Sequence, residues 1–106
     1  MEAIKHGQPK EFKYGDMVVA IKSVASSADR LEVALSGGGA ESYKVACRCM
    51  ILGWRGFTRD GKDIPFSPLE FANIPDLPEG NFFILLGNFI AKETDILEAN
   101  AKIKND

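Results

Sequence analysis

The fold is decided by the stretch Gly53–Phe71, whose sequence is GWRGFTRDGKDIPFSPLEF. It contains the only Trp of the chain, together with Phe57, Phe66 and Phe71. Its parts predict, in order, the end of one helix, a hairpin and the start of a second helix. None of its residues forms a pattern typical of a reaction centre, so the stretch predicts architecture more firmly than activity.

The middle of this stretch predicts a short hairpin at 56–66. Asp60-Gly61 is a dipeptide that type I′ turns prefer at their two central positions. Pro65 has no N–H to give to a ladder, so the second strand should be brief or lie at an edge. Ser67, Pro68 and Glu70 then form the pattern of a capping box with Pro in the first helical position, which predicts a short helix at 68–73.

Upstream, the apolar spacing predicts an amphipathic helix at about 41–53. Gly53 and Gly56 bracket its predicted end, where Gly is favoured because it reaches the left-handed conformation. Three glycines precede this helix and predict a flexible connector at 37–39. The apolar positions follow the i, i+3, i+4, i+7 series of a helix and are Tyr43, Ala46, Cys47, Met50, Ile51 and Trp54.

The N-terminal third predicts a hairpin and one ambiguous segment. Strands at 11–14 and 17–24 are joined by the turn signal Gly15-Asp16, after a loose arm at 1–11. Segment 27–35 alternates as a strand would, but Ser27 as N-cap and the following glycines suit a short helix. Both readings stay open here, with the helix favoured.

The C-terminal third predicts a helix at 79–102 after a Pro-rich link, with a frayed end at 99–106. Residues 82–90 are apolar nearly all round the helix, so this half needs cover on more than one side. The sequence therefore predicts one α+β domain, 1–106, with an N-terminal hairpin, a central hairpin, two main amphipathic helices and one short helix.

Composition excludes several classes of function. The chain has 106 residues, 45% of them hydrophobic and 26% charged, with a net charge of −2. This balance gives no excess of cations for nucleic acid. No apolar run reaches the ~20 residues that span a bilayer. The start lacks a signal-peptide pattern and two cysteines cannot form a disulfide framework, so we expect a reducing, cytosolic location and no membrane partner.

The candidate chemical residues favour structural roles. Cys47 and Cys49 would point about 200° apart on a helix and could not share one metal ion. His6, the only histidine, stands in the predicted arm without a partner for catalysis. Asp60, Asp63 and Glu70 cluster near the hairpin, but the turn and the cap already explain them. The sequence predicts no enzyme, no cofactor and no metal site.

Two aromatic groups could be core or binding surface. Trp54, Phe57 and Phe66 could form an exposed platform, but such residues around a turn more often fold inward. The last helix carries more apolar side chains than one small core should absorb, so we expect some of them to serve a partner or a second copy.

The segment Gly53-Trp54-Arg55-Gly56-Phe57, followed by Asp60-Gly61-Lys62 and Ile64-Pro65-Phe66-Ser67, resembles a known family. It is similar to the G-W-x-G-F... D-G-K-x-I-P-F-S segment of small tailed-bacteriophage proteins of the tail assembly chaperone type. The resemblance covers about residues 43–75 and continues after Pro78 only as a matter of layout. The positions that carry the motif and its cap are Trp54, Gly56, Phe57, Asp60, Gly61, Pro65, Phe66, Ser67 and Glu70.

The resemblance implies a non-enzymatic protein of the host cytoplasm that acts during phage assembly. Such proteins are thought to cover the apolar helical segments of the tape-measure protein until tail-tube subunits enclose them. The alternative is a structural virion component, such as a head-to-tail connector or tail subunit, that forms a ring or another homo-oligomer. We expect the partner-binding face on the last helix, at Phe82, Phe83, Leu86, Phe89 and Ile90.

Overall fold

The computed structural model describes residues 1–5 and 7–98 of the chain. The fold is α+β, as predicted. A three-stranded antiparallel sheet has the order β1-β2-β3 and a small hairpin is formed by β4 and β5. The elements are β1 Lys10–Tyr14, β2 Met17–Ile21, α1 Ser27–Ala34, α2 Gly39–Met50, β3 Ile51–Arg55, β4 Thr58–Arg59, β5 Lys62–Asp63, a 3-10 helix Pro68–Asn73 and α3 Phe82–Glu93.

The N-terminal hairpin is confirmed. Tyr14 pairs with Met17 across the turn, where Gly15 has a φ of 60°. Alternation along β2 buries Met17, Val19 and Ile21 on one face of the sheet, as period-two patterning requires. The second strand ends at Ile21, short of the predicted 24, and β1 begins at Lys10, within the predicted arm.

The third strand was not predicted. The helix expected at 41–53 ends at Met50, and Ile51 and Trp54 lie on β3, not on the helix. Ile51 adopts extended angles, φ −71° and ψ 132°, and pairs with Ile21 of β2. The apolar spacing predicted helix too far along the chain. The backbone of residues 51–55 forms hydrogen bonds with the free edge of β2 instead, and these bonds outweigh the local helical periodicity.

Segment 27–35 is a helix, which decides the open alternative. Its N-cap is Ser26 and not Ser27, because the Ser26 hydroxyl accepts from the Asp29 N–H while the Asp29 carboxylate accepts from the Ser26 N–H. The glycine connector is shorter than expected, since Gly38 caps α2 and Gly39 is its first residue.

The central hairpin has the predicted turn. Asp60 and Gly61 have φ values of 54° and 78°, as a type I′ turn requires. The short helix at 68–73 is confirmed as a 3-10 helix capped by the Ser67 side chain. The predicted capping box does not form. The Glu70 carboxylate accepts from Arg59 at 2.8 Å and not from the Ser67 N–H.

The last helix is shorter than predicted at both ends. It begins at Phe82 because the Asn81 side chain accepts from the N–H groups of Phe83 and Ile84, which lie in the first turn and have no carbonyl partner within the helix. It ends at Glu93, where Thr94 is extended and donates its hydroxyl to the Ile90 carbonyl. The frayed end predicted at 99–106 and His6 lie outside the described residues.

The hydrophobic core lies between the sheet and two helices. α2 and α3 pack against each other, and their buried side chains join those of β2 in one cluster. The Tyr14 hydroxyl donates to the Pro75 carbonyl at 2.6 Å and ties the Pro-rich link to the sheet. The largest fully buried side chains are Val19, Ile21, Val33, Cys47, Met50, Phe82, Leu86, Ile90 and Ile96.

Candidate functional site

The partner-binding face expected on α3 is not a single exposed surface. Phe82, Leu86 and Ile90 are 1%, 0% and 0% exposed, so they belong to the core and cannot meet a partner in this conformation. Phe83 and Phe89 remain half-buried. The expectation failed for the three buried residues because β1 and α2 together cover more of α3 than the sequence suggested.

An aromatic cluster joins the central hairpin to α3. Trp54 packs edge-on against Phe57 and Phe66, with ring centroids 5.4 Å and 4.8 Å apart. Phe71 continues the cluster and lies 5.9 Å from Phe83 of α3. The Trp54 indole N–H donates to the Ile64 carbonyl at 2.9 Å, which satisfies its polar atom. Trp54, Phe57 and Phe66 are half-buried, which fits the inward packing predicted for them.

Next to this cluster lies an apolar groove of about 390 Å³ between α2, the 3-10 helix and α3. The groove and the aromatic cluster share two residues, Phe71 and Phe83. Leu69 is 86% exposed at the groove, the highest exposure of any leucine among the described residues. The apolar side chains of the groove are Pro68, Leu69, Phe71, Ala72 and Phe83.

The charged residues of the groove are both cations. Lys44 and Arg48 stand one helical turn apart on α2 and line the groove with no carboxylate among the lining residues. Arg48 lies 3.4 Å from Glu32, and both side chains of this pair are 56% exposed. Lys44 forms no ion pair with any described carboxylate. The groove therefore combines an apolar lining with a positive side.

The two cysteines lie where the helix geometry predicted, one buried and one half-buried. Burial raises the pKa of Cys47 to about 12. Burial, followed by the hydrogen bond to Glu32, raises the pKa of Cys49 to about 11. Both raised pKa values favour the protonated thiol at neutral pH, whereas a reactive cysteine has a lowered pKa.

The carboxylates near the hairpin do not converge. The Glu70 carboxylate accepts hydrogen bonds from Arg59 and Asn73, and these two bonds lower the pKa of Glu70. Asp60 occupies the turn and Asp63 is exposed on β5. Within the described residues, no group of three or more His, Cys, Asp or Glu side chains is placed to hold a metal ion.

Two other concave surfaces lie away from the groove. A cleft of about 360 Å³ between the start of α1 and the end of α3 is polar. Three of its four charged lining residues form ion pairs, Arg30 with Asp95 and Glu93 with Lys10 outside the cleft, and the fourth is Lys92. The outer face of the sheet carries a shallow apolar depression that includes Val18, Ala20 and Leu52. Leu52 is 49% exposed there.

Sequence reasoning placed Phe83 in the site and missed the rest of the groove. Lys44 and Arg48 are exposed and lie off the apolar stripe predicted for α2. The available signal for Leu69 was a large apolar residue between Pro68 and Glu70 in the first turn of a helix too short to bury it. Only the fold brings these elements to one place.

No helix within 1–5 and 7–98 is long and apolar enough to cross a membrane. Comparison with family models, curated proteins and solved structures gave no match to this chain.

Proposed function

We propose that the chain is a non-enzymatic protein-binding module that holds an apolar helical segment of a partner in the groove between α2, the 3-10 helix and α3. The observation that carries the proposal is the apolar lining of this groove, with Leu69 86% exposed beside it. An amphipathic helix binds such a groove by laying its apolar face into it. Leu69 and Phe83 then lose contact with water, which favours the complex.

The partner suggested by the family resemblance is the tape-measure protein, bound in the host cytoplasm during tail assembly. Its apolar helical stripes would need cover before tail-tube subunits enclose them. A groove of about 390 Å³ receives only a few side chains of a helix, so each contact has a modest affinity. Modest affinity suits a chaperone because the tail-tube subunits must later displace it.

Co-expression tests this proposal. The chain is expressed together with the tape-measure protein encoded by the same genome, and the soluble fraction of that protein is measured. We expect the native chain to raise the soluble fraction and Leu69→Ser to lose most of the gain. The matched control is Leu35→Ser, because Leu35 is 71% exposed at the end of α1 and does not line the groove.

Three results would contradict the proposal. The first is a genome that encodes no tape-measure protein. The second is equal solubilisation by the native chain and Leu69→Ser. The third is an equal loss with Leu35→Ser, which would mean that any exposed leucine serves.

A structural virion component is the second candidate, and the uncovered outer face of the sheet favours it. Val18 and Ala20 are half-buried there, and Leu52 leaves apolar surface in contact with water. In a ring, this face would be covered by a neighbouring copy. Light scattering after size exclusion would then show an oligomer that Leu52→Ser disrupts and Leu69→Ser leaves intact.

A further inference from the structure

We infer that the groove selects partner helices whose apolar stripe is flanked by acidic residues, and that Lys44 and Arg48 read those residues. This inference rests on the proposed function, because it concerns the same groove. It adds a chemical class of partner, an acidic amphipathic helix, to what the apolar lining alone would accept.

The geometry of α2 supports this selection. Lys44 and Arg48 are separated by four residues, so they project from the same side of the helix, about 6 Å apart along its axis. Both line the groove next to Phe71 and Phe83. A helix lying in the groove with its apolar face inward would place its flanking residues against this pair of cations.

The surrounding charges leave both cations available. Lys44 has no ion-pair partner among the described carboxylates. Among the carboxylates that the structure describes, Glu32 alone pairs with Arg48, at 3.4 Å, with both side chains 56% exposed. An exposed pair of this kind contributes little stability, so a partner carboxylate can replace Glu32 at small cost.

The net charge makes the inference easy to test. The whole chain carries a net charge of −2. Long-range attraction would therefore favour a basic partner over an acidic one. A preference for acidic helices can only come from a local positive region such as the groove.

The experiment uses three labelled peptides of about 18 residues, long enough to populate a helix in water. They share one leucine stripe and carry glutamate, glutamine or lysine at the positions that flank it. Fluorescence anisotropy measures the Kd of each for the full chain. We expect the glutamate peptide to bind about fivefold more tightly than the glutamine peptide, and salt at about 0.5 M to remove most of the difference.

Variants separate the charge effect from the apolar contact. The double variant Lys44→Gln/Arg48→Gln should bind all three peptides equally. Its matched control is Lys13→Gln/Lys62→Gln, which changes the net charge equally at two exposed cations outside the groove and should keep the preference. Leu69→Ser should weaken the binding of all three peptides to a similar extent. Circular dichroism confirms that each variant is folded.

Each outcome has one meaning. Equal binding of the three peptides by the native chain, with loss in Leu69→Ser, overturns the charge inference and leaves the proposed function standing. Tightest binding of the lysine peptide also overturns the inference. Binding that is absent for all three peptides, or unaffected by Leu69→Ser, counts against the groove itself and overturns both.

Discussion

Asp29 is a buried carboxylate whose charge is stabilised by its neighbours. Its oxygen accepts from the Ser26 N–H and from the Lys22 ammonium, each at 3.0 Å. Burial raises the pKa of Asp29, but the hydrogen bonds from Ser26 and Lys22 together outweigh it, so the pKa lies below its ordinary value. The folded state therefore favours the charged carboxylate more than the unfolded chain does.

Asp29→Asn should lower the free energy of unfolding by about 1 kcal/mol at pH 7, because the amide keeps an acceptor but loses the charge. The native contribution is complete above the unfolded pKa of about 3.9 and is lost as the pH falls through the lower folded pKa. The difference between native and variant should therefore shrink below about pH 4. Urea unfolding at several pH values measures it. A difference that stays constant down to about pH 2.5 would contradict the assignment, and exposed Asp63→Asn is the control.

The capping box predicted at Ser67 and the one found at Ser26 show what a residue pattern can predict. Ser67 and Glu70 have the better sequence pattern, and Ser67 does cap its helix. The reciprocal bond forms instead at Ser26 and Asp29, where Lys22 also supports the carboxylate. At Glu70 the competing partner is Arg59, which only the hairpin brings close. Local spacing predicted the N-cap Ser67 and placed that of α1 one residue too late, while the choice of carboxylate partner depended on the fold.

At the scale of elements, the sequence predicted most segments and misplaced their ends. The hairpin turns and the 3-10 helix depend on residues within a few positions of each other, so a local pattern was sufficient. β3 depends on β2, some thirty positions away in the chain, and no local signal separated it from the helix before it. The end of α3 depends on Thr94 and on Ile96, which folds back into the core.

α2 and α3 pack tightly at Gly87. A Cβ placed on Gly87 would lie 2.5 Å from Cδ2 and 2.9 Å from Cγ of Tyr43. The Tyr43 ring is held by the bond from its hydroxyl to Asn88, at 2.9 Å. The helices therefore approach closely only because this position has no side chain.

Gly87→Ala should lower the free energy of unfolding by about 1 kcal/mol. Alanine gains about 1 kcal/mol in helix propensity, but overpacking against the Tyr43 ring costs about 1–3 kcal/mol. Urea unfolding measures the net effect. In the background of Tyr43→Ala, the same change should become stabilising because the obstructing ring is gone.

The control for this prediction is Gly53→Ala. No atom lies within 4 Å of a Cβ placed on Gly53, so the change should be neutral or slightly stabilising. If Gly87→Ala stabilised the native chain, the close approach of the two helices would be wrong.

At the scale of the whole molecule, the groove could not be found from the sequence. The last helix does carry more apolar side chains than the core buries. Which of them stay exposed depended on how much of α3 the sheet and α2 cover. The core absorbed Phe82, Leu86 and Ile90, and left Phe83 beside Leu69 of the 3-10 helix. The candidate site therefore moved from one helix face to a junction of three elements.

Substitution of Leu86 separates a core residue from a partner-binding one. Leu86 is fully buried in the cluster that joins the sheet, α2 and α3, so Leu86→Ala leaves a cavity. Such a change costs about 2–5 kcal/mol, a large part of the roughly 5–15 kcal/mol that stabilises a domain of this size. We expect a loss of about 3 kcal/mol in urea unfolding, measured by Trp54 fluorescence.

The control on the same helix is Ile84→Ala. Ile84 is 41% exposed, so this substitution should lower the free energy of unfolding by less than about 1 kcal/mol. Trp54 reports on the aromatic cluster and far-ultraviolet circular dichroism on the helices. Because one core joins them, the two signals should give the same unfolding midpoint for the native chain and for Leu86→Ala. A Leu86→Ala chain of native stability that has lost partner binding would instead place Leu86 on the binding face, and the groove would then not be the site.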